Sequence, residues 1–281
     1  MTRVVVASDL HLGITRRETL ENLATAIAAE RPDLTVLAGD IGEGHSRFRS
    51  CLEIFLGLPG DTAVLAGNHD VWACEGLSSV ELWERALAAA ARAAGMLWLE
   101  DEVWVKEGLG VAGSIAWYDY SAAAPGLNRS AAFWAANKGR YNLDARLVNW
   151  PWPDQEFAAR VGDGLVERVM RLEEDASVQA ILVVTHVPLY EEQMERRPHD
   201  LNWTIGNAYF GNLTLGARLE AARKLHGVIS GHTHVSRQGW HPRPDGESPQ
   251  VWVIDSDYGK PRSVTFDYPE PGEAGDANPM G

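Results

Sequence analysis

Residues 62–72 read TAVLAGNHDVW. An apolar run ends in Gly67, and Asn68, His69 and Asp70 follow before the chain turns apolar again. A short β-rich run closed by glycine predicts a buried strand. Three polar side chains of different chemistry therefore stand at the mouth of a core strand. The same arrangement occurs upstream, where VVVAS (4–8) leads into Asp9 and His11 and LTVLAG (34–39) leads into Asp40. Helical patterns at 15–30 and near 46–56 separate these runs. The βαβαβ rhythm predicts a parallel sheet with its ligand site beyond the carboxyl ends of the strands.

Further along, Ser78 and Glu81 form a capping box for a helix with a stripe of Val80, Trp83, Leu87 and Ala91, and Gly95 stops it. Residues 96–116 read as strands. Gly108, Gly110 and Gly113 spell a dinucleotide fingerprint, but no helix opens after them, so a glycine-containing hairpin is expected. Phe157, Val161, Leu165, Val169 and Leu172 recur at helical spacing over 155–174. A buried strand (180–186), a helix near 214–225 and strands at 227–232 and 251–255 follow. The stretch from 268 to 281 has a disordered composition, which leaves one domain over 1–267.

The 281 residues, 45% hydrophobic, suffice for a sizeable core without disulfides. Two cysteines, Cys51 and Cys74, make no metal motif and suit a reduced compartment. The opening RVVVASD reads as a strand rather than a signal peptide, and no apolar stretch approaches the roughly 18 residues of a membrane span, so the cytoplasm is expected and a membrane is not. A net charge of −14 disfavours long nucleic acids while admitting small phosphorylated ligands.

Later strands end as the first three do, in His186 and in His232 and His234. Carboxylates and imidazoles converging on one sheet edge would repel or stay unpaired unless a cation held them, because each buried unpaired polar group costs several kcal/mol. The set Asp9, His11, Asp40, Asn68, His186, His232 and His234 mixes oxygen and nitrogen without thiolate. That suits Mn²⁺, Fe, Zn²⁺, Co²⁺ or Ni²⁺, with Mn²⁺ favoured, over an oxygen-only Ca²⁺ or Mg²⁺ cage. Seven ligands exceed one tetrahedral ion, whereas two ions sharing a carboxylate would use them all.

The series SDLH (8–11), GD (39–40), GNHD (67–70), His186 and GHTH (231–234) resembles the calcineurin-like metallophosphoesterases over Asp9 to His234. The resemblance implies Asp9, His11, Asp40 and His234 around one metal and Asp40, Asn68, His186 and His232 around the other. It also implies a four-layer α/β/β/α sandwich of two mixed sheets flanked by helices, in place of a simple doubly wound sheet. Two cations would lower the pKa of a bridging water, so that hydroxide attacks a phosphomonoester or phosphodiester in line. His69 adjoins ligand Asn68 without being counted as one, and its ordinary pKa near 6.5 suits an acid toward the leaving oxygen. Asp70 is expected to hold its tautomer.

The stretch between His69 and His186 carries an expected substrate-capping insertion at 117–154, rich in aromatics, amides and bases. Tyr118, Asp119, Tyr120, Arg129, Lys138 and Arg140 are candidate substrate contacts, and Asn202 and Trp203 a second wall. His45 is read as a helix-entry residue, and His199, His226 and His241 as surface residues, His226 at a helix end. A small substrate such as a nucleotide or cyclic nucleotide is favoured. A nuclease and a non-catalytic protein-binding scaffold are the alternatives.

Overall fold

The apolar runs, the central ones buried on both faces, become strands. In the computed structural model, which describes residues 1–244 and 246–269, these are β1 (Thr2–Ser8), β2 (Leu34–Ala38), β3 (Asp61–Leu65), β4 (Leu97–Trp98), β5 (Val103–Lys106), β6 (Leu109–Ser114), β7 (Ala180–Thr185), β8 (Leu225–Ser230), β9 (Arg237–Trp240), β10 (Gln250–Val253) and β11 (Arg262–Tyr268). They form two mixed sheets, β11-β1-β2-β3-β4 and β5-β6-β7-β8-β10-β9. In β1 the strand alternation is visible residue by residue. Val4 and Val6 pack into the core between the sheets with Val36, Leu65, Val111, Leu182 and Ile229, while Val5 and Ala7 face the helices outside.

Helices α1 (Arg17–Glu30), α2 (His45–Ile54), α3 (Ser79–Glu81) and α4 (Leu87–Ala93), the last two joined by a π turn at Leu82–Ala86, supply the outer layer of the first sheet through Leu20, Ile27, Phe48, Leu52 and Leu87. The capping box at Ser78 and Glu81 is formed. In the insertion lie α5 (Ala131–Tyr141) and α6 (Asp144–Leu147). Then come α7 (Asp154–Glu174), α8 (Leu201–Gly206) and α9 (Leu213–Leu219), and α7 and α9 cover the second sheet with Leu165, Val169, Leu172, Leu215 and Leu219. The layers are thus α/β/β/α. The glycine-rich 108–113 segment is a hairpin strand: Lys106 pairs with Leu109, and Glu107 and Gly108, at φ 45° and 86°, make the tight turn between them.

Three readings change. Tyr268 pairs with Thr2 in β11, so the structured domain runs past 267, and residues 270–281 of the expected tail lie outside the described residues. His226 sits in β8 against the rings of Phe266 and Tyr268, not at a helix end. His241 is held between Glu192 and Glu220, with both ring nitrogens within 2.9 Å of a carboxylate, rather than left on the surface.

The strand ends are laced at one edge, where the polar residues collect. The Asp9 amide donates to the Gly39 carbonyl, that of His11 to the Asp40 carbonyl, and that of Gly231 to the His186 carbonyl. His232 N–H donates to both oxygens of Asp9 at 3.1 Å, which ties the two sheets together.

Candidate metal centre

Five of the ten non-glycine residues with positive φ among those described are Asp9, His11, Asp40, His232 and His234. Left-handed backbone at a residue with a Cβ costs about 1–3 kcal/mol, and Asp and His tolerate it better than most. The strain is concentrated where each strand turns its side chain inward. Glycines make room for the approach: a Cβ on Gly67 would run into the backbone nitrogen and carboxylate of Asp40, and one on Gly231 into Ser8 Oγ and Asp9 Oδ2. Gly231→Ala should therefore lower the melting temperature by more than about 5 °C in a thermal unfolding scan; a shift within 1 °C or so would show that the Ser8–Asp9 corner gives way freely.

The gathered side chains fall into groups around Asp40. Asp9, His11 and His234 form one set, and Asp40, His186 and His232 another, the ligand-type atoms of each within 4.8 Å of one another. Asp40 reaches both ways, with Oδ2 3.6 Å from His11 Nε2 and Oδ1 3.4 Å from His186 Nε2. His234 Nε2 is 3.3 Å from Asp9 Oδ1, and Ser8 Oγ donates to Asp9 Oδ2. His186 has Nδ1 3.1 Å from the Ala38 carbonyl, which leaves Nε2 to face Asn68 Oδ1 at 3.0 Å. His232 has Nε2 3.2 Å from the Tyr209 carbonyl, leaving Nδ1 available. Asp9, His11 and His186 are fully buried, and Asp40 nearly so.

Whether these residues fit divalent metals is tested by the polar atoms they leave over. His11 Nε2 is buried without a hydrogen-bond partner, which is costly for an imidazole unless the nitrogen is a ligand. The charge balance agrees. Burial opposes the ionised form of Asp40, but the neighbouring His186 and His69 imidazoles hold its carboxyl well below the usual range. Burial opposes protonated His186, and Asp40 and Asp9 raise it to about 9; burial and His186 together push His232 down to about 4. Several rings thus compete to neutralise few carboxylates, a contest that divalent cations end by supplying the charge themselves.

His69 lies beside the set. Its backbone N–H donates to Asp40 Oδ1, its ring stacks on Trp72 at 3.7 Å, and its Nδ1 is 3.0 Å from Glu43 Oε1. Burial opposes charge on this ring, yet Asp40 and Glu43 raise it to about 9. The same Glu43 oxygen is 2.9 Å from His11 Nδ1. Glu43 therefore fixes both rings, so that each presents Nε2 elsewhere. Sequence reading missed it, although it stands three residues after Asp40. Glu43→Ala should cut kcat/KM about 10–100-fold, the usual cost of losing an orienting partner; steady-state kinetics equal to the wild type would deny it that role.

Asp70 is corrected. Residues 69–71 form a 3₁₀ turn, in which consecutive side chains point about 120° apart. Asp70 accordingly faces away from His69 and accepts N–H bonds from Ile41, Gly42 and Gly67, pinning the loops after β2 and β3 together. Three substrate contacts are corrected as well, because their polar atoms are already engaged. Tyr118 Oη donates to Asp144, while Tyr120 Oη and Lys138 Nζ both donate to Asp154, Lys138 also lying 4.9 Å from the centre of the Tyr118 ring. Asp119 accepts from Ser121, Arg129 lies over Phe133 at 5.4 Å, and Arg140 is exposed on α5. Of the expected second wall, Trp203 stacks beneath Arg197 and donates to the Glu195 carbonyl. At the rim stands Tyr258, 47% exposed, its ring 4.7 Å from that of His11 and 4.9 Å from that of His234.

Chemistry rather than volume locates the site. A cavity of about 610 Å³ is lined by Tyr190, Glu220, His241 and Arg243 among others and includes none of the seven metal-type residues. Of its charged groups, His241 pairs with Glu220 and with the neighbouring Glu192, and Arg243 pairs with Glu220.

Two packed mixed sheets between helices, with carboxylates and imidazoles gathered around one shared aspartate at the strand ends, define a metal-binding hydrolase of the phosphoesterase class. The chain belongs to the calcineurin-like phosphoesterases, whose family description matches residues 2–236. The family implies a dinuclear centre of divalent metals and a hydrolase acting on phosphoester bonds. Among solved structures, the chain is similar to the phosphopantetheinyl hydrolase PptH of Mycobacterium tuberculosis at 21% identity and a TM-score of 0.69, covering 96% of this chain and 97% of that one. A protein of Thermus thermophilus aligns at 13% identity, TM-score 0.53, over 90% and 88% of the two chains. A dimetal phosphatase from Danio rerio aligns at 15%, TM-score 0.50, over 91% and 89%. At these identities the likeness concerns the fold. No curated protein matches the sequence. Among the described residues, no helix is long and apolar enough to cross a membrane.

Proposed function

We propose that this protein hydrolyses a phosphomonoester or phosphodiester of a small molecule, with Asp9, His11 and His234 holding one divalent metal, Asn68, His186 and His232 the other, and Asp40 both. The observation that carries this reading is the pair of donor sets meeting at Asp40, with His69 adjoining them and 12% of its side chain exposed. When bound, two such ions supply a nucleophile from water near neutral pH and neutralise phosphate oxygens. Mn²⁺ is the favoured pair for a mixed oxygen and nitrogen set.

The protein's own residues account for the rest. Glu43 accepts a hydrogen bond from the Nδ1–H of His69, so the proton offered to the leaving oxygen is the one on Nε2. Trp72 keeps the ring in plane from one side. Tyr258 forms the outer lip and offers a phenol to the non-reacting part of a substrate. The net charge of −14 opposes a polyanionic strand, which favours a small ester over a nucleic acid. Two free thiols, one of them the buried Cys51, support a reducing compartment, the cytoplasm.

The test is a substrate panel run with Mn²⁺-loaded protein: a chromogenic monoester and diester, nucleotides, cyclic nucleotides, sugar phosphates, single-stranded DNA and, because the Mycobacterium neighbour is named for it, a phosphopantetheinyl ester. A small ester should exceed DNA in kcat/KM by at least about 10²-fold, or roughly 2.7 kcal/mol in transition-state binding. Faster cleavage of DNA would reverse the substrate assignment.

A further inference from the structure

Asn68 can serve a metal only through its amide oxygen, and nothing in the carboxamide's shape says which end faces inward. The partner on its other side decides. Asn68 Nδ2 donates to Asp144 Oδ1 at 2.9 Å, and Asn68 Oδ1 faces His186 Nε2. Asp144 is fully buried and belongs to α6 of the insertion, 76 residues away in the chain. As a carboxylate it only accepts hydrogen bonds, so the amide end of Asn68 that meets it must be NH₂. Its remaining valences are filled by donors: Trp72 Nε1 at 2.6 Å on Oδ1 and Tyr118 Oη at 2.8 Å on Oδ2. Trp72 is the ring stacked on His69.

We infer that Asp144 is a positioning residue, which turns the Asn68 carboxamide so that its oxygen faces the metal centre and, through Trp72, backs the face of His69. The inference rests on the dinuclear reading above. It gives the insertion a task at the site: a segment far from the strand-end motifs completes the alignment of one of their ligands. Tyr118, expected to touch substrate, belongs to this brace.

The test reads metal affinity rather than turnover. Metal-stripped full-length protein is titrated with Mn²⁺ by calorimetry and by the electron paramagnetic resonance of free Mn²⁺. Wild type should take two equivalents. Asp144→Ala should bind one of them about 10–100-fold more weakly, the usual loss when a ligand's orienting partner goes. Asp144→Asn, which can still accept from Asn68 and Trp72 while donating to Tyr118 Oη, should stay within about threefold of the wild type. The decisive variant is Asn68→Asp combined with Asp144→Ala: a carboxylate presents oxygen whichever way it turns, so the weakened site should regain at least about tenfold. A merely structural role for Asp144 would leave this double variant no better than Asp144→Ala, and that result overturns the inference. So does an Asp144→Ala protein that binds both ions as the wild type does. Should the alanine protein not fold, as judged by near-ultraviolet circular dichroism, Asp144→Ser, polar but too short to reach Asn68, replaces it in both comparisons. Wild type that binds no Mn²⁺ would sink the dinuclear reading itself, an outcome distinct from either.

Discussion

Asp40→Ala should lose both metals together and drop in kcat/KM by at least about 10³-fold, the scale of losing a main electrostatic stabiliser of the transition state. The reason is geometric. Asp40 stands within 3.6 Å of His11 on one side and 3.4 Å of His186 on the other, so it serves both donor sets. Its removal also leaves buried imidazoles without the carboxylate that balances them, which adds an uncompensated-charge penalty of about 3–5 kcal/mol if they stay protonated. Metal analysis by mass spectrometry and steady-state kinetics on one preparation check both halves. An Asp40→Ala protein that keeps one full equivalent of metal would show two independent sites rather than a shared one.

The second large effect separates binding from proton transfer. His69→Ala should keep two equivalents of metal, because His69 stands outside the two sets that meet at Asp40, yet lose about 10²–10⁴-fold in kcat on alkyl esters. For a nitrophenyl ester, whose leaving group needs little protonation, the loss should shrink towards tenfold or less. Equal losses on both ester types would remove His69 from the acid role and make it a residue that shapes the centre. Metal loss in His69→Ala would assign it to a further donor set with His11 and Glu43, whose ligand-type atoms also lie within 4.8 Å of one another.

What the sequence made legible follows from where the information sits. The first half of the fold was readable because β1, β2 and β3 are apolar runs separated by helical periodicity, and each carries its functional residues on its own carboxyl end. The strands that close the sheets were not. β11 returns from 262–268 to pair antiparallel with β1, and β9 attaches to β10 by a short antiparallel pairing. Those pairings are long-range choices that local propensity does not encode. The division into two sheets came only from resemblance to a family.

The site divides in the same way. Residues within the strand-end motifs converge as the motifs imply, whereas the residues that orient them come from elsewhere. Asp144 lies on a short helix of the insertion, and Tyr258 follows β10, with nothing in composition or period to mark either. Glu43 was within reach of inference, three residues beyond Asp40 on a turn that could carry it back. Asp70 departs from expectation because adjacency in sequence is not adjacency in space, and a 3₁₀ turn separates the two side chains. Lys138 departs from expectation because a cation in an aromatic segment suggests an anion site, yet it is buried against Asp154.

Two metals held around Asp40 are proposed to make this chain a phosphoesterase. The most direct test is activity against metal content: metal-stripped protein, assayed on a chromogenic phosphodiester and monoester while Mn²⁺ is added stepwise, with Co²⁺, Ni²⁺, Zn²⁺ and Mg²⁺ in parallel. Turnover should rise with metal and level off at two equivalents per chain. Full turnover at one equivalent, or none with any of the five metals on either ester, would contradict that proposal.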